Sequence, residues 1–243
     1  MGKNKLIKFE QLSSFPNTYQ NYSVSDSVTV DHQGKVVDLK GRWHADHFHN
    51  QQPITLELAC GRGEYTVGLG ELYSNRNFIG IDIKGARIWQ GAKIAMENGW
   101  NHVAFLRTRI EKLAAFFAPG EVDEIWITFA DPFLKKPNRR LTSGYFLQEY
   151  QKVLKPDGLV HLKTDSDRLY EFTLRSIEAH GCTLLENYPD IYFGDLPMPE
   201  LGIKTYYERM HLEAGKRIKY LRFQLPETPI SPIKLKDPKP EAE

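Results

Sequence analysis

Two stretches of the sequence have residue types and spacings that could bind an adenosine-containing ligand. The first is the run ELACGRG at 57–63, in which Gly61 and Gly63 let the backbone turn sharply and approach a ligand closely. The second ends at Asp82, 21 residues after Gly61, the spacing at which a carboxylate can accept hydrogen bonds from ribose hydroxyls. Because both features point to one ligand, we predict a nucleotide-type site here.

The charge of the first stretch indicates which ligand binds. Dinucleotide folds use G-x-G-x-x-G to bring a helix N-terminus onto pyrophosphate, but the third glycine position here is Thr66. The Glu57 carboxylate would repel a pyrophosphate and attract a cation. S-adenosylmethionine has an ammonium and a sulfonium group and no phosphate, so we predict it as the cofactor. A Rossmann-type dehydrogenase that binds NAD is the alternative.

A third stretch, TFADPFLKKPNRRL at 128–141, combines a carboxylate with a cluster of cations. Asp131 follows a predicted strand and is expected at the same sheet edge as Glu57 and Asp82. Four cations fall within six residues without a compensating carboxylate: Lys135, Lys136, Arg139 and Arg140. The pattern predicts that Asp131 acts at the reacting group while the cations bind nucleic-acid phosphates. A solvated basic loop is the alternative.

Alternating strands and helices must position these residues. Apolar runs predict strands at 54–59, 78–82, 103–106, 125–129, 159–164, 183–188 and 218–225. Helices are predicted at 84–98, 144–154, 167–180 and 205–214. We expect an α/β fold with a doubly wound, mostly parallel sheet, whose ligands bind beyond the strand carboxyl ends. Residues 1–53 are predicted to be an irregular N-terminal extension, and 226–243 a flexible Pro-rich tail that does not pack.

The composition is that of an ordinary folded protein, since 41% of the 243 residues are hydrophobic and 26% are charged. No stretch approaches about 18 consecutive apolar residues, and the start lacks the apolar segment of a signal peptide. We therefore expect a cytoplasmic protein without a membrane contact.

The two cysteines, Cys60 and Cys182, are too few for a disulfide framework or a zinc site. His44, His47 and His49 could suggest a metal, but their irregular context favours no metal site.

The net charge of +1 hides an uneven distribution along the chain. Residues 54–134 contain eight basic and ten acidic residues, as a cationic ligand favours, whereas 135–225 contain fifteen basic and twelve acidic residues. This balance argues against broad nucleic-acid affinity and predicts local, strongly salt-dependent binding.

Over about three-quarters of its length, from Trp43 to Leu225, the sequence resembles the bacterial tRNA (guanine-N7)-methyltransferases. The matching runs are LELACGRG (56–63), FIGIDIKGARIW (78–89), FADPFLKKPNRRL (129–141), HLKTD (161–165) and KTYYE (204–208). The resemblance implies a seven-stranded, Rossmann-like methyltransferase domain at 54–225, with S-adenosylmethionine as cofactor and tRNA as partner. It also implies methyl transfer to a guanine N7 in the tRNA variable loop, position 46 in standard tRNA numbering.

By this resemblance the site residues receive roles. Six residues are assigned to cofactor binding: Glu57, Gly61, Gly63, Asp82, Arg109 and Asp131. Asp131 is also assigned as the catalytic carboxylate that contacts the guanine. Substrate binding is assigned to Lys135, to Asp165 and to the segment that contains Thr205, Tyr207 and Glu208. The other cations of the basic run, Lys136, Arg139 and Arg140, are also assigned to the substrate. Tyr206 stands where the family commonly has a glutamate, so it does not inherit that role.

Structural and functional alternatives stay open at this point. Asp165 lies near a predicted helix start, where carboxylates are favoured, and Thr205 and Glu208 have the spacing of a capping box. The run D-P-F at 131–133 is similar to the D-P-P-[YF] signature of amino-group methyltransferases, although the second proline is absent. A noncatalytic RNA-binding module is a third class. We expect a monomer or a weak homodimer.

Overall fold

The computed structural model describes residues 3–23 and 25–238, with side chains from Leu6 onward. Its helices are α1 (Lys3–Leu12), α2 (Glu64–Leu72), α3 (Gly85–Glu97), α4 (Leu113–Phe116), α5 (Gly144–Gln151), α6 (Asp167–Ala179) and α7 (Tyr206–Glu213). Its strands are β1 (Thr18–Gln20), β2 (Thr29–Val30), β3 (Val36–Val37), β4 (Ile54–Leu58), β5 (Asn77–Asp82), β6 (Val103–Arg107), β7 (Val122–Thr128), β8 (Leu154–Thr164), β9 (Thr183–Tyr188) and β10 (Lys219–Gln224). A π-helical turn spans Trp43–Phe48.

The described strands form one sheet in the order β3-β2-β1-β6-β5-β4-β7-β8-β10-β9. The six strands from β1 to β8 in this order pair in parallel, and β10 runs antiparallel between β8 and β9. The chain order reverses beside β4, because β5 lies on one side of it and β7 on the other. Such a switch point opens a crevice at the strand carboxyl ends, where ligands bind.

Helices cover both faces of the sheet, as a parallel sheet requires. Along β7, Ile125 and Ile127 pack into one core and Trp126 into the other, because successive strand residues point to opposite faces. The first core includes Leu113 of α4, Leu147 of α5 and Leu169 of α6. The second includes Leu12 of α1, Leu69 of α2 and Ile88 of α3. The predicted doubly wound α/β fold class is confirmed, with ten strands in the described residues and the seven predicted ones as β4 to β10.

The prediction of an irregular extension at 1–53 is wrong for the described residues of this segment, 3–23 and 25–53. Helix α1 packs beside α3, where Gln11 accepts a hydrogen bond of 2.8 Å from the Trp89 indole, and Asn17 donates to the Ala92 carbonyl. Strand β1 pairs in parallel with β6, with Thr18 opposite Phe105, and β2 and β3 extend this edge. The segment therefore continues the sheet.

The prediction that the tail does not pack is also wrong for its described residues, 226–238. Ile230 is 4% exposed and joins the first core. The Gln151 side chain donates to the Pro226 carbonyl and accepts from the Ile230 amide. These contacts bind the tail to α5.

None of the helices within 3–23 and 25–238 is long and apolar enough to span a membrane.

Candidate functional site

The loop after β4 approaches its neighbours so closely at Gly63 that a side chain could not fit there. Ala59, Gly61 and Gly63 all have positive φ angles, of 57°, 56° and 71°. A Cβ atom on Gly63 would lie 2.5 Å from a ring carbon of Phe105 and 3.2 Å from the Cα atom of Gly91. Both predicted glycines thus adopt the left-handed conformation of a tight turn, and Gly63 packs directly against β6 and α3.

Asp82 holds this loop from the end of β5. One carboxylate oxygen accepts the Gly61 amide at 3.0 Å, and the other accepts the Lys84 amide at 2.7 Å. Each oxygen keeps lone-pair capacity, and the side chain lines the adjoining cleft. Asp82 and the glycine loop, which the sequence predicts to bind one ligand, are therefore in direct contact.

Glu57 is the next-to-last residue of β4, just before this loop. Its carboxylate accepts hydrogen bonds from the Thr66 amide at 2.8 Å, from the Thr66 hydroxyl, and from the Thr128 hydroxyl at 2.6 Å. The side chain is buried, and burial raises the pKa of Glu57 to about 7. The sequence interpretation placed this carboxylate against the ligand, whereas the structure has it bonded at the N-terminus of α2 and outside the lining of the cleft.

A cleft of about 940 Å³ opens at the carboxyl ends of β5, β6 and β7. It brings together five predicted site residues: Asp82, Arg109, Asp131, Arg139 and Tyr207. Residues that sequence reasoning missed also line it, among them Lys84, Arg87, Tyr145, Phe146 and His211. Helical spacing could have found His211, because it stands one turn after Tyr207 on α7.

Asp131 stands in a loop with an unusual backbone. Phe129 and Phe133, two residues to either side, have φ angles of 49° and 38°, a conformation that costs about 1–3 kcal/mol for such a residue. One Asp131 oxygen accepts the Phe133 amide at 2.8 Å. The side chain is exposed and has no further hydrogen-bond partner within 3–23 and 25–238. The loop therefore presents an accessible carboxylate at the cleft.

A second cleft of about 710 Å³ adjoins the first and shares Phe129, Ala130, Asp131 and His211 with it. Asp165 lines this outer cleft, where its carboxylate lies 2.7 Å from Lys216 Nζ and 3.4 Å from His211 Nε2. Asp131 and Asp165, predicted from separate strands, thus border one space.

The basic loop contains two kinds of cation. Lys135, Lys136 and Arg139 are exposed, and the Arg139 guanidinium lies 5.4 Å from the centre of the Phe133 ring. Arg140 is fully buried and paired with Asp237. The prediction that Arg140 binds a substrate phosphate is therefore wrong in this structure, because its guanidinium is already occupied.

Helix α7 gives a similar result. Tyr207, predicted to bind the substrate, is exposed and lines the cleft. Thr205 caps the helix by accepting the Glu208 amide at 3.2 Å. The Glu208 side chain is fully buried, 2.8 Å from Lys163 Nζ and 2.7 Å from the Tyr192 hydroxyl. The prediction that Glu208 contacts the substrate is wrong, and the capping-box alternative is right for Thr205.

The three N-terminal histidines have separate partners. His44 Nε2 is bonded to the Gln52 carbonyl, His47 Nδ1 to the Tyr19 hydroxyl, and His49 to its own turn. Burial lowers the pKa of His47 to about 4. No group of three metal-ligating side chains occurs within the described ranges, 3–23 and 25–238.

Residues 51–221 match the family model described as "Putative methyltransferase". A tRNA (guanine-N(7)-)-methyltransferase from Bacteroides thetaiotaomicron is 50% identical over 93% of this chain and 88% of its own length. Its namesake from Porphyromonas gingivalis is 52% identical over 89% and 87%, respectively. Among solved structures, 16S rRNA methyltransferase KamB shares the fold, with a TM-score of 0.60 and 14% identity over 79% of this chain and 96% of KamB. On its sequence identity to these relatives, the chain belongs to the tRNA (guanine-N7)-methyltransferase family.

Proposed function

We propose that the protein transfers the methyl group of S-adenosylmethionine to N7 of guanine 46 in the variable loop of tRNA, in the cytoplasm. Family membership supports the reaction and the substrate class. The observation that carries the proposal is the position of Asp131. This exposed carboxylate borders both the inner cleft of about 940 Å³, which Asp82 and Arg139 of the basic loop also line, and the outer cleft, which Asp165 lines.

The glycine loop favours a cofactor without phosphates. The Thr66 amide at the start of α2 is bonded to Glu57, so a carboxylate already occupies the helix end that binds pyrophosphate in dinucleotide folds. This arrangement disfavours the NAD alternative. We assign the cofactor to Gly61, Gly63 and Asp82, together with Arg109, which lines the same cleft as Asp82. When bound, S-adenosylmethionine supplies a methyl group activated by its sulfonium.

The chemistry requires little from the protein beyond alignment and charge. Guanine N7 has a lone pair and no proton, so attack on the methyl carbon is direct and in line and needs no general base at that atom. Positive charge develops on the purine as the bond forms. An ionised Asp131 can accept N–H groups of the guanine and stabilise that charge.

The tRNA itself is assigned to the outer rim of the site. Lys135, Lys136 and Arg139 are exposed next to Asp131 and can contact phosphates, which position the RNA without reading its sequence. Tyr207, which lines the inner cleft, can contact the target nucleotide, which must be unstacked to reach the cofactor.

The experiment that tests this function is incubation of the protein with labelled S-adenosylmethionine and an unmodified tRNA transcript, followed by nucleoside analysis. We expect 7-methylguanosine, and no label in a transcript in which guanine 46 is replaced by adenine. N6-methyladenosine as the product would favour the amino-group alternative and contradict the proposal.

A further inference from the structure

The C-terminal tail follows a defined path over two helices. From α5, where Gln151 holds Pro226 and Ile230, it continues to α6. There the Ile233 amide donates to His180 Nε2 at 3.1 Å, and Arg175 donates to the Lys236 carbonyl at 2.8 Å. This path brings Asp237 to the basic loop.

At that point Asp237 meets Arg140, which is 97 residues earlier in the chain. Arg140 Nη1 and Nη2 donate to the two Asp237 oxygens at 2.6 and 2.7 Å, in the bidentate geometry that makes such pairs strong. Arg140 Nε donates to the Pro132 carbonyl at 2.6 Å. The Arg140 side chain is fully buried, with its guanidinium 4.6 Å from the centre of the Phe172 ring.

The hydrogen bond to the Pro132 carbonyl constrains the backbone next to the catalytic candidate, because Pro132 directly follows Asp131. One guanidinium thus joins residue 140 to residue 132 and closes the base of the loop that carries Lys135 and Lys136. The guanidinium that makes this bond is held from two other directions, by the bidentate Asp237 carboxylate and by the Phe172 ring, and only the carboxylate neutralises its charge.

We propose that Asp237 is a positioning residue for the methyl-transfer site: it holds Arg140 against the Pro132 carbonyl and thereby fixes the loop that carries Asp131 and the exposed lysines. This inference rests on the proposed function for its catalytic consequence, but its structural part does not. Without Asp237 the guanidinium would lose its counter-ion and turn toward water, since an unpaired buried charge is costly. The Pro132 carbonyl would then be released.

The tests compare Asp237→Ala and Asp237→Asn with Glu227→Ala, an exposed acidic residue of the same tail. Hydrogen exchange in a peptide covering 132–140 reads the loop directly. We expect faster exchange in both Asp237 variants and wild-type exchange in Glu227→Ala. In steady-state assays we expect kcat to fall about tenfold in the Asp237 variants, as a small misplacement of a catalytic group predicts. Affinity for S-adenosylhomocysteine should not change, and Asp237→Glu should restore part of kcat.

The outcomes separate this inference from the proposed function. If wild type forms no 7-methylguanosine, the proposed function fails, and hydrogen exchange still decides whether Asp237 fixes the loop. If wild type is active but the Asp237 variants match Glu227→Ala in both exchange and kcat, Asp237 is not a positioning residue. Faster turnover or tighter tRNA binding in Asp237→Ala would also overturn the inference, because the tail would then compete with the tRNA for Arg140.

Discussion

Lys163 and Glu208 form a fully buried ion pair, with Nζ 2.8 Å from Oε2, that joins the end of β8 to α7. The ammonium also donates to the carbonyls of Leu201 and Ile203 at 2.8 and 2.9 Å, so all three of its donors are used. The second Glu208 oxygen accepts the Tyr192 hydroxyl. Burial lowers the pKa of Lys163 to about 8, which leaves it charged at neutral pH. The pair anchors the helix that forms one wall of the cleft.

This relationship predicts a large and non-additive effect on stability. Lys163→Met leaves the Glu208 charge buried without its partner, so we expect the free energy of unfolding to fall by about 3–5 kcal/mol. Changing both residues to Met should cost clearly less than the sum of the single changes. Urea unfolding of the four proteins measures this coupling. Lys93 and Glu97 on α3 are an exposed pair 3.5 Å apart, and their cycle should show about 0.5 kcal/mol or less. Additive effects at Lys163 and Glu208 would contradict the prediction.

How far the sequence could predict the site follows from how far apart the interacting residues are. The positions of Asp82 and Asp131 were predictable, because Asp82 ends a strand of a parallel sheet, Asp131 closely follows another, and the carboxyl ends of such strands lie side by side. Arg140 was assigned to the substrate from the cluster of cations, and Glu208 from the family resemblance. The sequence could not correct either assignment, because the true partners lie 97 and 45 residues away. Local spacing cannot distinguish a cation that faces a phosphate from one that faces a distant carboxylate.

The same argument applies to the fold. The seven longer strands have enough apolar residues to be recognised, whereas β2 and β3 have two residues each, too few for any alternation to be detected. Their place in the sheet depends on β1 pairing with β6, a contact between residues about 87 positions apart such as Thr18 and Phe105. The outer strands β1, β2 and β3 therefore depend on tertiary pairing, which leaves no local pattern in the sequence.

The buried Glu57 predicts a pH dependence of stability. Its pKa rises from 4.5 to about 7 on folding, because burial disfavours the charged form. Between these values the folded protein keeps the proton and the unfolded chain releases it, so stability from this group falls as the pH rises, by about 3 kcal/mol at most. Glu57→Gln should flatten the profile of unfolding free energy from pH 4.5 to 7.5. Glu71→Gln, at an exposed position on α2, should keep the wild-type profile, and parallel profiles for wild type and Glu57→Gln would refute the assignment.

Asp131 predicts an effect on the chemical step. Asp131→Ala removes the carboxylate that stabilises charge on the guanine, so we expect the single-turnover rate at saturating tRNA and cofactor to fall about a hundredfold. Affinity for S-adenosylhomocysteine should change little. The matched control is Asp157→Ala, an exposed aspartate near the start of β8 and therefore at the opposite sheet edge. A near wild-type rate in Asp131→Ala would remove Asp131 from catalysis.

The exposed and buried cations of the basic loop are predicted to affect the salt dependence of tRNA affinity differently. Lys135 and Lys136 are exposed and have no ion pair within residues 3–23 and 25–238, so each is available to a phosphate. Lys135→Ala and Lys136→Ala should each lower the slope of log K against log salt concentration by about 0.7–0.9. Arg140→Ala should leave this slope unchanged and lower Tm instead, because Arg140 is buried against Asp237. Lys155→Ala, at the opposite edge and paired with Asp123, controls for a general loss of charge. Equal slopes in Lys135→Ala, Lys136→Ala and Lys155→Ala would mean that the basic loop is a solvated surface.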